Sequence, residues 1–120
     1  MNQFSAITQP TAKSARIVSG LATLYYRHND PARALALGLM AMRCGYDKPR
    51  TALLVASCFL KTGDPEQAEA ALSRLKSQPL TQSEEAASAF LMAKVHFRRG
   101  DHETAQNLLA EAARLTEALL

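Results

Sequence analysis

Tryptophan is absent from the 120 residues, and aromatic residues make up only 6% of them. β-Branched residues are scarce, whereas Ala and Leu are abundant. A sheet is therefore not expected. Helices are, because Ala and Leu lose little freedom on entering one. Hydrophobic residues reach 48%, which at this length serves one domain with one core, not two. No apolar run approaches the ~20 residues needed to cross a bilayer. Met1 to Pro10 lacks the basic start and apolar stretch of a secretory leader. The expectation is a cytoplasmic protein with no direct membrane insertion.

Strong charge of one sign is also missing. The formal net charge is +3, and no basic run exceeds a pair such as Arg98-Arg99, so no nucleic acid is expected as a partner. Cys44 and Cys58 match no metal-binding spacing, and one possible disulfide is no framework. They are expected as free, mostly buried thiols in a reducing compartment. His28, His96 and His102 are scattered. His96 and His102 could approach across a turn, but a metal site would lack a third and fourth ligand. Cys58 and His96 could be imagined as a nucleophile and its base, yet Cys58 is expected to fill space. Phosphate loop, zinc helix and nucleophile elbow are all absent. No catalytic residue, metal or cofactor is expected, and the chain does not read as an enzyme.

What is present is repetition. Tyr25-Tyr26-Arg27-His28-Asn29-Asp30-Pro31-Ala32-Arg33-Ala34 is echoed by Phe59-Leu60-Lys61-Thr62-Gly63-Asp64-Pro65-Glu66-Gln67-Ala68. It is echoed again by His96-Phe97-Arg98-Arg99-Gly100-Asp101-His102-Glu103-Thr104-Ala105. Asn29 and Gly63 stand 34 positions apart, and Gly63 and Gly100 stand 37 apart. Periods of this length mark arrays of stacked helix pairs. Asn29, Gly63 and Gly100 fall where a first helix must end in a left-handed residue. Asp30, Asp64 and Asp101 follow as N-caps of the second helix. Pro31 and Pro65 occupy its first turn, where a missing N–H costs nothing. Small residues recur at Ala22, Ala56 and Ala93, and at Ala34, Ala68 and Ala105, where paired helices must approach. The expected helices are 14–28, 31–44, 49–62, 65–77, 83–99 and 102–118. Thr81-Gln82-Ser83-Glu84 reads as a capping box for the fifth.

These residues resemble the tetratricopeptide repeat (TPR) family over about 15–119. The resemblance implies an all-α fold of three TPR helix–turn–helix repeats, about 15–48, 49–82 and 86–119, stacked in a short right-handed superhelix behind a flexible tail at 1–12. It departs from the family pattern in having no repeat-opening Trp, a displaced or missing closing Pro, and His96 at a ring position. More narrowly, a three-repeat chain of this size is similar to the small cytoplasmic chaperones of bacterial type III secretion, such as the YscG-, YscY- and SycD-like proteins. The segment from Gly20 to Ala41 carries that likeness.

What the resemblance implies for function is the holding of another protein. The first helices of stacked pairs line a concave face. Its expected inward residues form an apolar stripe, Tyr26, Leu53, Leu60, Phe90 and Phe97, beside a basic one, Arg16, Arg27, Arg50, Lys61, Lys94 and Arg98. Such a groove suits an amphipathic helix or an extended segment with acidic flanks, here a small secretion-system subunit or client helix. The same stripe could instead be ordinary core or a self-association surface. Some members hold ligand carboxylates with Lys and Asn where this chain has Ser19, Thr23, Leu54, Ala87 and Leu91, so that ligand class is not expected. Leu115, Leu119 and Leu120 form an apolar end face that a partner or a second copy is expected to cover. The alternative function is an architectural protein acting through homo-oligomerisation or assembly of a larger complex.

Overall fold

The computed structural model describes residues 12–120. The tail expected over 1–12 lies outside them, apart from Ala12, which opens the first helix. Six α-helices follow among the described residues: α1 (Ala12–Arg27), α2 (Pro31–Arg43), α3 (Pro49–Lys61), α4 (Pro65–Ser73), α5 (Gln82–Arg98) and α6 (His102–Glu117). Each packs against the next in chain order, and the first helices of successive pairs also touch, α1 with α3 and α3 with α5. The result is an elongated stack of 56 × 29 × 26 Å.

The turn within each pair repeats atom for atom. Asn29, Gly63 and Gly100 have φ of 60°, 86° and 82°. That left-handed residue lets two backbone N–H groups reach back to the orphaned carbonyls of the ending helix. Asp30, Asp64 and Asp101 donate their N–H to Tyr25, Phe59 and His96, while Asn29, Gly63 and Gly100 donate to Tyr26, Leu60 and Phe97. The same three aspartates then accept from the backbone N–H of Arg33, Gln67 and Thr104. One residue thus closes a first helix and opens a second. Thr81 and Glu84 form the expected capping box on α5. The fourth helix departs from expectation. After Ser73 its last turn tightens into a 3₁₀ turn, Arg74–Ser77. Pro79 cannot continue an α-helix and disfavours α geometry just before it, so the chain leaves by the tighter turn.

The small positions are where the helices meet. Ala22, Ala34, Ala41, Ala56, Ala68, Ala93 and Ala105 are all buried. The main core lies between the second and third pairs, where Leu60, Leu72, Leu75, Leu91 and Val95 cluster around Val55 and Ala56. Between the first and second pairs the contact is tighter. Ser19 and Thr51 share a buried hydrogen bond of 3.0 Å. A Cβ built on Gly38 would lie 2.8 Å from Val55 Cγ2. Gly38→Val is therefore expected to cost about 1–3 kcal/mol by overpacking. Combining it with Val55→Ala should recover much of that loss. A double-mutant cycle by urea unfolding measures the coupling, and simple additivity would contradict the contact.

Candidate docking site

The fold sorts the expected groove residues into two sets, and the repeat itself explains why. Positions separated by 34 residues between the first two pairs, and by 37 between the last two, are equivalent. Leu53 and Leu60 of α3 are equivalent to Phe90 and Phe97 of α5. Leu72 of α4 is equivalent to Leu109 of α6. When α5 lies in the channel between α3 and α4, it covers the second pair's residues. Leu60 and Leu72 are accordingly only 3% and 1% exposed, and Leu53 packs against the same cluster. Leu60, expected to line a free groove, is instead buried, and Leu53 is partly buried against the same cluster. They belong to the seam between repeats, because a position that faces inward on an isolated pair is buried once the next pair stacks on it.

The third pair's seam is open in the described structure. Phe90, Phe97 and Leu109 are 45%, 61% and 43% exposed. A groove of about 650 Å³ runs between α5 and α6, lined by Ala86, Phe90, Leu109, Ala112 and Leu119 among others. A second hollow of about 330 Å³, bounded by Phe90, Lys94, Phe97, Arg98 and Leu109, adjoins it. Together they form the channel in which a further helix would lie. Leu109 was not among the residues anticipated from the sequence, though its equivalence to Leu72 could have pointed to it.

The basic residues divide as well. Arg16, Arg27 and Arg50 surround one polar hollow of about 350 Å³ between α1 and α3, with Ser19, Thr23 and Tyr46 in its wall. Lys61 lies over the Tyr26 ring, 4.8 Å from its centroid. Lys94 lies over Phe90 at 4.9 Å. Arg98 reaches back to donate to the Leu60 carbonyl. These contacts hold cations at the rim of apolar surface, where they favour an acidic neighbour and leave the aromatic faces for packing. Arg99 clamps α5 onto α4 through Glu69 at 2.8 Å and Glu66 at 3.6 Å. The Arg99 hydrogen bond and charge hold the Glu69 carboxyl below its ordinary pKa.

The C-terminal leucines do not share one face. Leu115 is half-buried in a hollow with Leu75, Leu80, Met92 and Leu108 on the opposite side of α5 and α6. Leu119 lines the open seam. Leu120 is fully exposed.

Two segments, 51–81 and 86–111, each match the tetratricopeptide repeat family. The second and third helix pairs are thus similar to tetratricopeptide repeats. The matches fall on the second and third helix pairs, where the seam just described is buried in one case and open in the other. No curated protein matches the chain. Tetratricopeptide repeats are typically non-catalytic modules for binding other proteins. Among the described residues, no cluster of three or more His, Cys, Asp or Glu could hold a metal ion, and no helix is long and apolar enough to cross a membrane.

Both cysteines are free thiols. Cys58 is completely buried, and that burial pushes its pKa up to about 11, slightly offset by the Lys61 charge. Cys44 is half-buried at the end of α2. A thiol reagent at neutral pH is expected to modify Cys44 readily and Cys58 only after unfolding. Peptide mapping checks this, and fast native labelling of Cys58 would contradict the packing of α3.

Proposed function

We propose that the protein is a helix-binding repeat module that acts as a cytoplasmic chaperone. Its client is a small hydrophobic or helical subunit of a type III secretion apparatus. The observation that carries the binding reading is the open third seam. Phe90, Phe97 and Leu109 occupy places that the second pair gives over to contact with α5. A client helix lying there would bury the two aromatic rings as anchors. The cations of Lys94 and Arg98 beside the channel favour a client with acidic flanks. The secretion assignment rests on the resemblance of a three-repeat chain of this size, and of Gly20–Ala41 within it, to those chaperones.

Co-expression with small helical subunits of a type III secretion apparatus tests the reading. The expected result is a defined heteromer in which the client stays soluble. A client equally soluble without this protein would overturn the chaperone role. The architectural alternative is favoured by one specific observation, a second exposed apolar face on α1.

A further inference from the structure

Among the described residues the stack carries an exposed apolar seam at each end, and the two are built from positions that pair inside the stack. On α1, Ile17, Leu21 and Leu24 are 55%, 43% and 50% exposed. Their equivalents on α3 are Thr51, Val55 and Cys58, each 1% exposed or less. Those residues form the face by which α3 seats on the first pair, through the Thr51–Ser19 hydrogen bond and the Val55–Gly38 contact. The equivalents on α5 are Ser88, Met92 and Val95. Of these, Met92 and Val95 pack into the core shared with the second pair. The exposed face of α1 is thus the face that an incoming first helix presents to a seam. The open channel between α5 and α6 is the seam that receives one.

We propose that a second copy of this chain fills the channel, its α1 lying against Phe90, Phe97 and Leu109, so that the chains stack head to tail.

The internal seams set the register. Lys61 of α3 lies over Tyr26 of the preceding pair, and its counterpart Arg98 reaches the Leu60 carbonyl. The α1 counterpart is Arg27, which this register places over the Phe97 ring, a favourable cation–π pairing. Arg99, the residue that follows α5, is held by Glu66 and Glu69 of α4. At the contact between copies, His28 takes the place of Arg99 and Glu103 that of Glu66. The apolar faces on both sides would leave water together. Because the contact joins two different surfaces, it does not close on itself by two-fold symmetry, and stacking continues with concentration. A client helix seated in the same channel would end the stack.

The test uses the full chain and two surface variants, Leu21→Glu on the α1 face and Phe97→Glu on the channel, with circular dichroism confirming that both stay folded. The wild type is expected to rise above its 13.0 kDa monomer mass with concentration in light scattering or sedimentation. Each variant alone should remain a monomer. An equimolar mixture should form a dimer and stop there, since Phe97→Glu keeps an intact α1 face and Leu21→Glu an intact channel. A wild type that stays monomeric into the hundreds of micromolar overturns the proposal. So does a single variant that still self-associates, which would mean like faces pair, or a mixture that stays monomeric. No client enters this experiment, so its outcome is separate from that of the chaperone reading.

Discussion

Changing Phe90 and Phe97 together to Glu is expected to abolish binding of the client helix while leaving the fold intact. Buried aromatic anchors at an interface are worth about 2–4 kcal/mol each on truncation. A carboxylate in their place must also be desolvated against apolar surface. Since about 1.4 kcal/mol is tenfold in affinity, even the lower bound for two anchors exceeds a hundredfold. The fold should not suffer. Both rings are about half exposed or more, and the contacts they make, Lys94 over Phe90 and His102 against the Phe97 edge, are surface contacts. Fluorescence anisotropy with the labelled client segment reads the loss, and far-ultraviolet circular dichroism reads the helicity. Binding within threefold of wild type would show that the client sits elsewhere.

Truncating the two equivalent leucines is expected to give very different losses of stability. Leu72 is 1% exposed beneath α5, whereas Leu109 is 43% exposed in the same place one repeat later. Leu72→Ala removes a fully packed side chain and leaves a cavity, at a cost of about 2–5 kcal/mol. That is a large share of the roughly 5–15 kcal/mol by which a small domain is stable. Leu109→Ala removes surface that is already wet and should cost about 0.5 kcal/mol or less. Urea unfolding of the two variants at low protein concentration, where copies do not stack, compares them directly. Equal losses would mean that the third seam is as well covered as the second.

Much of this architecture is legible from the residues. The Asn/Gly-Asp turn at three equivalent places dictates where helices end and begin, because a left-handed closing residue and an N-capping aspartate have few other uses side by side. The buried alanines follow from the same spacing. The identity of the open surface is harder to read. Leu53 and Leu60 look like Phe90 and Phe97 when each helix is read by itself. They differ only because another pair stacks on the first two and none stacks on the second two in the described structure. Leu109 on a second helix, and Ile17 and Leu24 on the first, do not stand out in the sequence for the same reason. Their apolar character fits a core position, and exposure depends on whether a neighbour is there. The 3₁₀ turn at Arg74–Ser77 reflects a local competition before Pro79 that periodicity does not register.

The central claim is that the channel between α5 and α6 receives a helix. A photo-reactive amino acid introduced at Leu109, in the co-expressed complex, tests it most directly, with one at the exposed Ala70 of α4 as control. The account predicts an adduct from position 109, mapped by mass spectrometry to a single helix of the client, and none from position 70. Adducts from position 70 with none from position 109 would contradict it.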